Sequence, residues 1–238
     1  MNRIEDQSGT RLFSQVTPSF SWEWAADTEF EVEYDKTRER LRPQDFSGLT
    51  GSRDYTQDRW SLGFETEMFA RVSFSAEFES GTTINLKPIS GAEPTLANTA
   101  STEIEVSWKP SDNFRIDTTY LLTELADRGG AGDIFSNRIV RTRWNYQFTK
   151  EFSLRFIAQH EKTDPTALTS LKREENMNFD VLLRYVINPW SALYFGYNSN
   201  SSNFQLIDTE NGKEVIRTTD LDRDGEQLFL KFSYLLQP

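Results

Sequence analysis

The 238-residue sequence contains no cysteine, which excludes disulfides and the thiolate-rich structural zinc sites. No apolar run approaches the roughly 18 residues that a membrane-crossing helix requires. The opening, "MNRIEDQSGT", lacks the apolar segment of a secretory signal. Histidine occurs once, as His160. Glycine and proline, at 12 and 8 residues, are too scattered to mark a linker, so the chain reads as one domain. Positive charge is in deficit: 26 Lys and Arg against 37 Asp and Glu leave a net charge of −11. A surface with that balance repels a phosphate backbone, which excludes nucleic acid as a general partner.

Aromatic residues, by contrast, make up 13% of the chain, with 18 Phe and 6 Trp. The mean hydropathy of −0.62 does not argue against a membrane, because strands that send alternate side chains to water and to lipid average out polar. Such alternation recurs along the whole chain. In "SFSWEWAADTEFEVEYD" Phe20, Trp22 and Trp24 alternate with Ser19, Ser21 and Glu23; a short turn follows, and Phe30, Val32 and Tyr34 alternate with acidic residues. A period of two on both sides of a turn is a β-hairpin. Four more hairpins follow, turning near residues 65–71, 109–113, 149–151 and 188–191, the last on an Asn-Pro pair. Leu228, Leu230, Phe232 and Tyr234 mark a closing strand. The count is eleven strands.

Turns within hairpins are short, whereas the connections between hairpins, near 41–55, 81–101, 124–136, 162–175 and 200–225, are long. Trp24, Trp108, Phe148 and Trp190 fall at the short-turn ends. Outer-membrane barrels segregate short periplasmic turns from long external loops and carry aromatic girdles. The expected fold is therefore all-β, an antiparallel up-and-down transmembrane β-barrel over residues 12–238, in the bacterial outer membrane. Residues 1–11 read as a polar leader, either disordered or the remnant of an upstream loop. Because eleven is odd and bacterial single-chain barrels have even counts, the chain is expected to be the C-terminal part of a longer barrel. A soluble β-sandwich or a lipocalin-like lipid-binding barrel is the alternative.

The stretches "IVRTRWNYQFTKEFSLRFIAQHEK", "NMNFDVLLRYVINPWSALYFGYNSN" and "EQLFLKFSYLLQP" resemble the C-terminal region of a large bacterial family of undefined function. Its members carry an N-terminal module similar to family-nine carbohydrate-binding domains, followed by a region that ends as an outer-membrane barrel. The resemblance covers about residues 100–238 and rests on strand and turn patterns, so it implies a fold and assigns no active site. The carbohydrate-binding module it implies is not in this sequence. The implied partners are the lipid bilayer with its lipopolysaccharide, the barrel-insertion machinery and an N-terminal region of the same protein. Many such barrels end on an aromatic residue, whereas here Leu235, Leu236, Gln237 and Pro238 follow Tyr234.

The positions facing away from lipid are charged in a segregated way. Glu23, Glu29, Glu31, Glu33, Glu65, Glu77, Glu103 and Glu105 occupy the first strands; Arg115, Arg141, Arg143, Arg155, Arg184 and Lys231 occupy the later ones, with Asp117 and Asp180 as minority acids. Two outcomes are open: an aqueous lumen with walls of unlike charge, acting in passive permeation or carried by a surface anchor, or a closed lumen filled by ion pairs. No enzyme activity is expected. His160, on the lipid-facing row beside Glu161, is the one residue on which an embedded hydrolase could be built. Asp220, Asp222 and Asp224, followed by Gly225, match the first half of a calcium loop, but its twelfth position is Lys231 where a bidentate glutamate belongs. Apart from that calcium candidate, no cofactor is expected.

Overall fold

The computed structural model describes residues 2–25, 27–46, 48–209 and 212–234. Thirteen strands follow one another and no helix occurs among the described residues: β1 (Asn2–Glu5), β2 (Arg11–Val16), β3 (Ser19–Trp24), β4 (Thr28–Leu41), β5 (Arg53–Phe69), β6 (Val72–Asn85), β7 (Thr95–Ser111), β8 (Phe114–Asp127), β9 (Asp133–Gln147), β10 (Phe152–Pro165), β11 (Glu174–Asn188), β12 (Ser191–Thr209) and β13 (Gly212–Tyr234). They form a single antiparallel sheet in sequence order. β2 and β3 are two halves of one row, since both pair with β4. Pro18 breaks that row: it has no N–H to give to the ladder, and its carbonyl accepts a hydrogen bond from Tyr34 N–H at 3.0 Å. Among the described residues no pairing joins β1 to β13, so the sheet has two open edges.

The expected leader at 1–11 instead begins with a strand. β1 pairs with β2 through Asn2↔Gln15 to Glu5↔Arg11. The turn between them is built by Asp6, whose Oδ1 accepts from the N–H groups of Ser8 and Thr10, both at 2.9 Å. Gly9 supplies the left-handed residue, φ +82°. β1 is the row missing from the sequence-based count of eleven, and with it the rows are even in number. It shows no alternation because all four of its residues are exposed.

The five short turns lie where the sequence places them. The long connections are shorter than expected, because the strands run on past the apolar stretches. β12 and β13 stay paired to Thr209↔Gly212, which makes most of the expected 200–225 loop a two-stranded ribbon. Beyond the apolar band both faces are polar, so the period-two signal fades while the backbone ladder continues.

Register makes one face of the sheet continuously apolar. Phe20↔Val32, Val32↔Leu62, Leu62↔Phe78, Phe74↔Val106, Ile104↔Tyr120, Tyr120↔Val140, Trp144↔Phe156, Phe156↔Val181, Val181↔Tyr197 and Tyr197↔Leu228 carry it from β3 to β13. Nothing among the described residues covers this face, and Phe20, Leu62 and Leu230 are 63%, 44% and 69% exposed. Among the described residues two small apolar clusters are buried, both at the long-connection end: Leu41, Leu49 and Ile84, and Ala97, Leu125 and Ile134. Leu168, in the connection between β10 and β11, packs on the second cluster. The next residue, Thr169, donates its hydroxyl to the Lys87 carbonyl at 2.5 Å. That connection therefore crosses to the loop after β6.

Candidate functional site: the charged face

The side chains that alternate with the apolar ones share the opposite face, and their charges are sorted by strand. Across β3 to β7 like charges stand directly opposite one another: Glu23↔Glu29, Glu29↔Glu65 and Glu77↔Glu103. Glu29, Glu31, Glu33, Glu65, Glu77, Glu103 and Glu105 line one cavity of about 380 Å³. Direct like-charge pairs oppose folding, so this patch is tolerated only with solvent or counter-charge at hand. Arg59 supplies counter-charge at its loop-side margin, 3.0 Å from Glu79 and 3.8 Å from Asp35. Among the described residues no cation pairs with Glu29, Glu31, Glu33, Glu65, Glu77 or Glu103.

The basic residues singled out in the sequence occupy β8 to β13. Asp117 holds two of them, with Arg115 Nε at 2.6 Å and Arg143 Nη2 at 3.0 Å, and it also accepts from the Ser107 hydroxyl. Arg141 and Arg143 border a cavity of about 280 Å³ whose far side is Glu105, the seam between the patches. Thr119 donates to Glu105 across that seam at 3.2 Å. Arg115, Arg155 and Arg184 line a further cavity of about 410 Å³ nearer the short turns. Lys231 lies over the Tyr194 ring, 5.9 Å from its centroid. Asp180 accepts from Asn198 Nδ2 at 2.6 Å. The acidic and basic groups expected from the sequence thus fall into two separate patches, and Asp117 is the acid that binds basic residues within the second. Asp117 and Arg59 as bridging groups were not legible, because spacing along a chain does not report which opposite charges meet across strands.

On the apolar face Trp24, Trp108, Phe148 and Trp190 stand at the short-turn end. Trp24 stacks on Trp22 with centroids 4.7 Å apart, and Phe148 packs on Phe152 at 4.9 Å. Trp24, Trp108, Phe148 and Trp190 are each about half exposed. Toward the long connections the same face changes to a collar of ion pairs: Arg40 with Asp54 at 2.7 Å, Lys162 with Asp164 at 2.8 Å and Arg173 with Glu175 at 2.9 Å. His160 belongs to this collar. It continues the apolar row, opposite Val140 and Met177, and its Nε2 lies 3.1 Å from Glu175 Oε1. The histidine faces away from the charged cavities, and its hydrogen-bond partner is the Glu175 carboxylate.

The calcium-loop geometry is not formed. Asp220, Asp222 and Asp224 lie on the extended β13, where they cannot wrap around an ion as a loop does. Asp224 accepts from Asn200 at 2.5 Å and from Ser202 at 2.6 Å, and Asp222 accepts from Gln205. Among the described residues no group of three or more His, Cys, Asp or Glu is arranged to hold a metal. The end of the chain at Leu235 to Pro238 lies outside the described residues.

The fold and the charged face define an up-and-down antiparallel β-sheet with one apolar and one charged surface. No family model and no curated protein matches the sequence. Among solved structures the chain is similar to OmpT, an outer-membrane protein of Vibrio cholerae, with TM-score 0.48, 11% identity, and coverage of 92% of this chain and 63% of that one. It is similar also to the NanC porin, with TM-score 0.37, 10% identity, and coverage of 94% and 97%. For the siderophore receptor PirA of Acinetobacter baumannii the TM-score is 0.46, at 12% identity, with coverage of 94% and 42%. Likeness at this level leaves the functional reading to the chain's own residues.

Proposed function

We propose that this chain is the membrane-embedded region of a bacterial outer-membrane β-barrel whose charged face lines a lumen for passive permeation of small polar solutes. The observation that carries the reading is the single-layer sheet: its apolar face is continuous and uncovered, while its other face holds acidic and basic patches that do not neutralise each other. A soluble sandwich buries one face under a second sheet, and an uncovered apolar surface of this extent needs lipid. Edge strands in lipid need partners, so β1 and β13 meet each other or further strands of a longer chain. Lipopolysaccharide then contacts the ion-pair collar, and the barrel-insertion machinery assembles the sheet. The ordered long connections suit a second role, as an anchor displaying an upstream region of the kind the family resemblance implies.

Planar-bilayer recording and detergent gel migration test the proposal. The full-length protein is expected to conduct and to migrate differently before and after heating. Replacing Arg141, Arg143 and Arg155 together by Gln should make the conductance more cation-selective, because the acidic patch then sets the local potential. A protein without conductance whose triple variant loses much of its stability has a closed, ion-paired interior, and the permeation reading falls.

A further inference from the structure

The cavity of about 410 Å³ at the short-turn end of the charged face holds two arginines without ion-pair partners. Arg115, which also lines it, is already held by Asp117 at 2.6 Å. Arg155 and Arg184 make no ion pair among the described residues, and both are exposed to the cavity. They are diagonal neighbours, since Arg155 stands opposite Leu182 and Ser153 opposite Arg184. Diagonal neighbours stand roughly 7–8 Å apart, with their Cβ atoms somewhat closer, within converging reach of two long side chains. Asn145, opposite both Arg115 and Arg155, adds an amide donor beside them. The acid that lines the cavity, Asp112, has a fully exposed side chain turned to Arg71 at 3.4 Å.

We infer that Arg155 and Arg184 form a binding site for the oxyanion of a small solute, a carboxylate or a phosphate group. A guanidinium fork offers two parallel N–H donors to such a group, and two forks with no competing carboxylate can grip one anion from both sides. Asn145 donates to a neighbouring oxygen, and Leu182 gives the cavity an apolar patch against which the solute's carbon skeleton rests. The volume lies in the range of small-molecule sites. The inference rests on the proposed lumen for the route by which the solute arrives; the site itself needs only the folded face.

Isothermal titration of the refolded full-length protein in detergent at low salt, with inorganic phosphate and separately with citrate, tests the site. Saturable binding of at least one probe is expected, and which one distinguishes a phosphate-bearing from a carboxylate-bearing solute. R155Q and R184Q should each weaken it about tenfold, the scale of a lost charge-assisted hydrogen bond. R155K keeps the charge without the fork, so it should fold as the parent does and still bind more weakly. R38Q, on the opposite face, should bind as the parent does. Titrations in which neither probe saturates, in which R155Q, R155K and R184Q all match the parent, or in which R38Q weakens binding equally, overturn the site. The same preparations in planar bilayers separate the two readings: binding without conductance removes the permeation role and leaves the site, and conductance without saturable binding does the reverse.

Discussion

Gly81 shows how tightly two strands can be drawn together at a single residue. A Cβ built there would stand 2.1 Å from the Asp58 carbonyl oxygen and 2.6 Å from Arg59 Cα, both backbone atoms that cannot swing away. Gly81→Ala should therefore force β5 and β6 apart and cost about 1–3 kcal/mol, the usual range for overpacking. A shift of the urea midpoint in detergent measures it, and a parent-like midpoint would show that the close approach is not needed. Gly196 is crowded by a side chain instead: the Phe229 ring covers it, with its nearest carbon at 2.1 Å from a built Cβ. That ring can turn, so the same substitution there should be milder.

Glu93, in the connection between β6 and β7, accepts from the Thr50 hydroxyl at 3.0 Å and is paired with Arg53 at 2.7 Å. These bonds, from Thr50 first and then Arg53, hold its pKa below the ordinary 4.5. A carboxylate depressed in the folded state contributes stability above its unfolded pKa and loses it as pH falls through the folded value. Docking of this loop on the β4–β5 connection should therefore weaken only below the ordinary glutamate range. Limited acid proteolysis of the 86–94 segment reads the change, and Glu93→Gln should make cleavage nearly independent of pH over that window.

At the scale of a strand, the two faces should respond oppositely to the same substitution. Phe74 lies in the apolar row near the short-turn end of β6, between Thr66 and Val106, and its neighbour Ser75 stands on the other face between Glu65 and Glu105. Phe74→Arg should be destabilising, by less than the roughly 2–4 kcal/mol of a position at the bilayer midplane. Ser75→Arg places a cation between two glutamates and should be neutral or stabilising. Refolding titrations into lipid vesicles compare the pair, and equal effects would remove the assignment of faces.

Strand identity was readable wherever one face is apolar and the other charged, as from Phe20 to Tyr34, because the period of two is then written in residue type. It faded above the apolar band. Residues 203–209 and 212–222 are polar or mixed on both faces, so nothing in their order announces a ladder whose bonds are all main chain. The same period also misled. Asp220, Asp222 and Asp224 sit two apart along an extended strand whose pairing with β12 is interrupted around them, and a calcium loop takes its first three ligands at the same spacing for a different reason. β1 was hidden by its brevity, although Asp6, Ser8 and Gly9 spell out its turn. The segregation of charge along the chain was legible; which arginines go unpartnered was not, since that depends on register.

For the whole molecule, the proposal fixes which end of the sheet meets which compartment. Asp112, in the short turn after β7, and Gly91, in the long connection after β6, lie at opposite ends. On intact cells a cysteine at Gly91 should react with an impermeant thiol reagent, while one at Asp112 should react only after the outer membrane is breached. The reverse pattern would invert the topology. Gly91 has φ +85°, so its substitution carries local strain, but the strain is confined to a loop position with nothing within 4 Å of a built Cβ.

The ribbon of β12 and β13 does not stop where its neighbour does. β11 begins at Glu174, and the buried Asn203 ties that start to the ribbon by accepting from Glu175 N–H at 2.9 Å and donating to the Thr218 carbonyl at 3.4 Å. Past Asn203 the two strands, among the described residues, pair with each other alone, and at 3.2–3.4 Å per residue the six residues from Phe204 to Thr209 rise roughly 20 Å further. In an outer membrane such a mast is met before the mouth of the barrel by anything too large to enter: an antibody, a phage fibre, a neighbouring cell. If the charged face lines a lumen as proposed, such a particle would grip the ribbon by its flank and leave the passage beneath it clear.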